Sequence, residues 1–165
     1  MPDFTSQKTI IIFEVFIFNV SVKSGLYHII VADDDVDDQF FIKEAIRNYT
    51  SDVELISVYN GLELVQWLAG ADPDDGLQTP MPDLIILDLN MPIMDGVAAL
   101  SKIREIQNYS DIPIYILTTS KEEKDEKICM QLGARGFFTK PSEFASLQRA
   151  VNTMLGDLKN KNQSS

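Results

Sequence analysis

The triplet Asp33-Asp34-Asp35, a lone Asp88, the pair Thr118-Thr119 and Lys140 are the residues of this chain whose types could do chemistry together. Three carboxylates drawn into one crevice, those of Asp33, Asp34 and Asp88, raise one another's pKa unless a cation sits among them. A donor set of oxygens without His or Cys selects a hard ion, and a few carboxylates plus waters suit magnesium (Mg2+). A lysine and a threonine hydroxyl opposite them suit phosphoryl oxygens, the ammonium acting as a point charge. Together these groups describe phosphoryl transfer, in which positioning and charge neutralisation supply most of the catalysis. The nucleophile is then an aspartate that forms an acyl phosphate.

These residues follow short apolar runs. The runs are Ile29-Ile30-Val31-Ala32, Val53 to Val58, Leu84-Ile85-Ile86-Leu87, Ile114 to Leu117 and Gly136-Phe137-Phe138-Thr139. Each has strand length and is rich in β-branched or aromatic residues. Two of them, 84–87 and 114–117, are apolar throughout, as a parallel strand covered on both faces should be. Between the runs, apolar residues recur at helical spacing: Ile42, Ile46 and Tyr49, then Leu64 and Leu68, then Leu147, Val151, Met154 and Leu158. Asp35 and Ser142 are expected to cap the first and last helices. Asp37 and Asp38 fall in the first helix's opening turn, where the dipole favours negative charge.

Five βα units in succession predict an open parallel sheet with helices on both faces. Ligands of such sheets bind beyond the carboxyl ends of the strands. Those ends carry Asp33-Asp34-Asp35, Tyr59-Asn60, Asp88, Thr118-Thr119 and Lys140-Pro141. Asp88, at the end of the central strand, is the best candidate nucleophile.

Composition narrows the alternatives. The chain has 165 residues, with 14 Lys and Arg against 25 Asp and Glu, for a net charge of −11. That balance opposes nucleic acid as a partner, because backbone phosphates need clustered cations. It opposes an anionic membrane surface for the same reason. Single copies of Cys (Cys129) and His (His28) exclude an intrachain disulfide and zinc cages built on several such ligands. A reducing, cytoplasmic setting is expected. Cys129 reads as a buried thiol, His28 as structural, Trp67 as helix packing and 121–127 as a solvated face. The apolar run 10–20 is too short to span a bilayer and reads as an accessory segment. Residues 1–26 form an extension of unknown role, and 159–165 a polar tail.

Four stretches, VADDD at 31–35, PDLIILDLNMPIMDG at 82–96, ILTTS at 116–120 and GFFTKP at 136–141, resemble the receiver domain of two-component response regulators. The resemblance runs from Tyr27 to Leu158, giving a receiver over 27–158. It is closest to the single-domain, chemotaxis-regulator-like members, among them those paired with phytochrome-type kinases. It implies a flavodoxin-like (βα)5 sheet in the order 2-1-3-4-5, and a phosphohistidine as donor, on a sensor histidine kinase or a histidine phosphotransfer protein. Asp34, Asp88 and the Asn90 backbone carbonyl would ligate magnesium, with Asp33 acting through water. Lys140 would pair with the phosphoryl group and Thr118 would hydrogen-bond it. Thr118 and Phe137 match the family's switch pair. Phe lacks the hydroxyl of the Tyr often found there, so the switch would work by packing. From the residue alone, Phe137 is a half-buried strand residue. The resemblance also implies a cis Lys140-Pro141 bond and possible homodimerisation through the face of the fourth helix, fifth strand and fifth helix.

Two other classes fit less well. A haloacid-dehalogenase-type phosphatase also uses Asp, magnesium, a hydroxyl and Lys, but needs a second Asp where Asn90 stands and an acidic pair after the nucleophile. A nucleotide module of flavodoxin topology needs a Gly-rich phosphate loop after the first strand, and five of the six residues 33–38 are Asp. With 26 residues before Tyr27 and seven after Leu158, output is expected to be contact with a downstream protein, or onward phosphotransfer. A receiver-like module that binds without phosphorylation is the remaining alternative.

Overall fold

The computed structural model describes residues 26–70 and 80–162. The expectations for the N-terminal extension and most of the 70–82 loop therefore fall outside the described residues. In chain order the elements are β1 (Tyr27–Ala32), α1 (Val36–Tyr49), β2 (Val53–Val58), α2 (Gly61–Ala69), β3 (Leu84–Leu87), α3 (Gly96–Glu105), a short 3-10 turn (Gln107–Tyr109), β4 (Ile114–Thr118), α4 (Glu123–Gln131), β5 (Gly136–Thr139) and α5 (Phe144–Asn162). The strands form one parallel sheet in the order β2-β1-β3-β4-β5. This is the flavodoxin-like arrangement expected from the sequence. Chain order reverses beside β1, so β1 and β3 are neighbours and their carboxyl ends open a shared crevice.

Alternation along the strands divides the core into two layers. Ile29, Val31, Leu84, Ile86 and Leu117 face α1 and α5, where Ile42, Ile46, Val151 and Met154 are buried. Ile30, Ala32, Ile85, Leu87, Ile114 and Ile116 face the other side, against Leu64, Leu68, Leu100, Ile103 and Cys129 of α2, α3 and α4. Every residue of β3 and β4 is buried, which explains their uninterrupted apolar runs.

Asp35 caps α1 as expected, its carboxylate accepting from the backbone N–H groups of Asp37 and Asp38 at 2.8 and 3.2 Å. Two local expectations are corrected. The carbonyl that opens α5 belongs to Glu143, which accepts from Leu147 N, so the cap falls one residue past Ser142. No cis peptide bond occurs among the described residues, so Lys140-Pro141 is trans. The two isomers of an X-Pro bond lie within about 1 kcal/mol of each other, so the residue pair alone does not choose between them.

Two long side chains fasten the loops. Arg104 donates to the carbonyls of Tyr109, Ser110, Ile112 and Gly133, joining α3 to the segment before β4 and the turn before β5. The Tyr109 hydroxyl donates to Leu68 O at the end of α2.

Candidate functional site

Asp33 leaves β1 and Asp88 leaves β3, and backbone contacts fix both. Asp88 N donates to Ala32 O at 2.9 Å, locking the two strand ends together. Asp33 Oδ1 accepts from Asp35 N at 3.0 Å, and Asp88 Oδ1 accepts from Leu89 N at 2.8 Å. Asp33 is 1% and Asp88 4% exposed, whereas Asp34 is open to solvent. One carboxylate oxygen from each of Asp33, Asp34 and Asp88 lies within 4.8 Å of the others. Three such oxygens, with one open to water, fit a hard divalent cation better than a soft metal.

Lys140 enters from the end of β5. Its Nζ sits 2.7 Å from Asp33 Oδ2 and 3.4 Å from Asp88 Oδ2. It also donates to Asp38 Oδ2 at 2.7 Å. Burial alone would lower the lysine's pKa. The hydrogen bonds to Asp33 and Asp38, with the charges of Asp33 and Asp88, outweigh it and raise the pKa, so the ammonium is permanent.

Asp33 is pushed up to about 6. The largest cause is burial, opposed by Lys140, and the charge of Asp88 contributes least. From the sequence, the carboxylates are expected to raise one another's pKa unless a cation sits among them, and the Lys140 ammonium is such a cation.

Thr118 is fully buried at the end of β4, its Oγ1 accepting from Ser120 N at 3.3 Å. Its hydroxyl therefore lies beneath the rim, and the exposed neighbour is Thr119. The Asn90 side chain points to Thr119, Nδ2 to Oγ1 at 3.4 Å. Phe137 is half-buried on β5 and packs against the core layer of α2, α3 and α4. His28 pairs with Glu54 and Asp83, as a structural residue would, and Cys129 is fully buried with its thiol pushed up to about 11.

Sequence reasoning missed three supporting residues. Asp38 was read only as a dipole partner. Gln39 is 2% exposed, and its Nε2 donates to Asp33 O and Val58 O at 2.8 and 3.0 Å, clamping the ends of β1 and β2. Gly96 donates from N to Leu89 O at 2.9 Å and starts α3 directly beneath Asp88. A Cβ there would lie 2.1 Å from Asp88 O, inside any allowed contact. Gly96→Ala is expected to displace the Asp88 backbone, costing about 1–3 kcal/mol of stability and most of the site's reactivity. Denaturant unfolding alongside a phosphorylation assay checks this, and wild-type behaviour in both would remove Gly96 from the site.

The model of the response regulator receiver domain matches residues 29–152. The chain belongs to the response regulator receiver family. This receiver is 31% identical over 123 residues to the response regulator Rcp1 of Synechocystis sp., covering 74% of this chain and 82% of that protein. It is 28% identical to the transcriptional regulatory protein PrrA of Mycobacterium tuberculosis, but spans only 49% of it. Among solved structures it resembles the phosphorylated cyanobacterial phytochrome response regulator RcpA, with a TM-score of 0.71 and 29% identity over 79% of this chain and 91% of that one. The Mn2+-bound form of Rcp1 matches with a TM-score of 0.69 and 29% identity, over 78% and 91% of the two chains. The resemblance to regulators grouped with phytochromes is thereby upheld. The acidic cluster of this receiver fits a divalent metal, and no helix among the described residues is long and apolar enough to cross a membrane.

Proposed function

We propose that this receiver takes a phosphoryl group onto Asp88 from a phosphohistidine and signals by contact with a downstream protein. The observation that carries the reading is the placement of Asp88: buried, beside Lys140, and within ligand distance of Asp33 and Asp34. Asp34, Asp88 and the Asn90 carbonyl would hold magnesium, with Asp33 acting through water, and the ion would supply neutralisation of the charge on the transferring oxygens. Asp88 forms an O–P bond as the donor's P–N bond breaks, and the electron pair of that bond returns to the imidazole. Lys140 then holds a phosphoryl oxygen and Thr118 donates its hydroxyl to another. Attack by water returns the carboxylate and free phosphate, so no separate substrate is turned over.

A protein donor, a sensor histidine kinase or a histidine phosphotransfer protein, fits the rim. Val36, Phe40, Phe41 and Phe144 are exposed there, at the starts of α1 and α5. The Phe41 and Phe144 rings are 6.3 Å apart, forming an apolar patch beside the acidic mouth. Inward movement of Thr118 and repacking of Phe137 would carry the signal to the face of α4, β5 and α5. A cytoplasmic setting follows from partners of this kind.

Intact mass after incubation with acetyl phosphate and magnesium tests the reading. One added phosphoryl group is expected, absent when a chelator removes the cation. Steady release of phosphate from unrelated phosphate esters without an adduct would return the haloacid-dehalogenase reading. Neither signal, with acetyl phosphate or with phosphorylated donor proteins, would leave a module that binds without phosphorylation.

A further inference from the structure

Three carboxylates surround one ammonium. Lys140 touches Asp33, Asp38 and Asp88, while the oxygens grouped to receive a cation are those of Asp33, Asp34 and Asp88. Asp33 and Asp88 therefore belong to both sets, and a divalent cation and the Lys140 ammonium both seek their oxygens. Like charges cannot share these oxygens without repulsion. Asp38 is the one carboxylate in contact with Lys140 that lies outside the cation group among the described residues. It reaches Nζ at 2.7 Å, as close as Asp33 does. It stands on the first turn of α1, where its own N–H is tied to Asp35 Oδ1, and it remains 40% exposed.

We propose that Asp38 is a positioning residue for Lys140: it keeps the ammonium at the edge of the pocket when Asp33 and Asp88 turn their oxygens to a divalent cation. The inference rests on the receiver reading of the site. It gives Lys140 a partner at every stage, so cation entry does not expel the lysine from the place where a phosphoryl oxygen must meet it. Without Asp38, the ammonium has two courses. It stays on Asp33 and opposes the cation, or it swings into solvent.

Either course is measurable without phosphorylation. The protein variants are Asp38→Asn, Asp38→Glu and, as a control, Asp37→Asn, which removes the same charge from the next residue, an exposed side chain on the same turn. The first readout is magnesium affinity by calorimetry. The second is acetylation of Lys140 by an N-hydroxysuccinimide ester at saturating magnesium, mapped by peptide mass. Asp38→Asn is expected to weaken magnesium binding by about threefold or more, to speed Lys140 acetylation by a similar factor, or both. Asp37→Asn should do neither, and Asp38→Glu should restore wild-type behaviour. Asp38→Asn and Asp37→Asn giving the same values in both readouts would overturn the proposal. Failure of the unaltered chain to bind magnesium would instead overturn the receiver reading on which it stands.

Discussion

Asp88→Asn is expected to abolish the phosphoryl adduct while leaving the fold intact. The substitution is close to isosteric, and the amide oxygen still accepts from Leu89 N, as Oδ1 does at 2.8 Å. What disappears is the anionic oxygen facing Lys140 and one of the three carboxylates placed to hold a cation. An amide is neither nucleophile nor charged ligand, so the adduct should fall below detection and magnesium should bind more weakly. Stability without metal should hold or rise slightly, because a buried charge has been removed from a crowded pocket. Intact mass after acetyl phosphate treatment, with denaturant unfolding in chelator, reads both effects. An adduct that persists would move the nucleophile to another carboxylate, and peptide mapping would show whether it is Asp33 or Asp34.

Residues were legible in the sequence where a local rule determined them. The five strands could be read because apolar runs of strand length, bounded by polar residues, have few other uses. The positions of Asp33, Asp88 and Lys140 then followed from the rule that parallel sheets present their sites at strand carboxyl ends. What escaped were residues whose role depends on a partner far along the chain. Asp38 meets Lys140 across 102 positions. At the sequence level its place in a helix's first turn already had a sufficient explanation in the dipole. Gln39 looks like any polar residue of an acidic stretch, but burial against the ends of two strands makes it a clamp. Arg104 reads as a favourable charge in the last turn of α3, yet its guanidinium serves four carbonyls on two separate connections.

Backbone conformation was less legible still. Ile93, in the loop that follows Asp88, has φ 68° and is 79% exposed. A β-branched residue rarely adopts that region, and no Gly or Asn at the position announced the turn. The tight approach of Gly96 to Asp88 O, by contrast, could have been suspected from Asp95-Gly96 as a turn followed by a helix. The sequence does not say which atoms the missing side chain makes room for. Clustered aspartates repel unless a cation sits among them; the structure places the Lys140 ammonium there, so burial rather than repulsion dominates at Asp33.

Lys140→Met should be the most destabilising change at the site in metal-free protein, and magnesium should reverse it. Methionine matches the length and volume of the lysine stem, so packing is largely preserved. The lysine side chain is only 11% exposed, and its ammonium holds Asp33 and Asp38 at 2.7 Å and Asp88 at 3.4 Å. Removing it strands two nearly inaccessible carboxylates, and breaking a buried pair in this way costs about 3–5 kcal/mol. The pH dependence has a definite sign. In the native protein Asp33 is raised to about 6 from 3.8. Without the lysine it is raised further. A carboxyl with a raised folded-state pKa binds more protons folded than unfolded, so stability rises as pH falls through the folded value. The penalty is therefore larger at pH 7 than at pH 5. Magnesium binds the folded pocket alone and replaces the missing positive charge, so saturating cation should recover most of the lost stability. Phosphorylation should remain impaired even then, because the group placed to meet a phosphoryl oxygen is gone. Denaturant unfolding at both pH values, with magnesium or chelator, separates the two roles of Lys140. If the variant matched wild type in chelator at pH 7, the lysine would not be what makes this acidic pocket compatible with a stable fold.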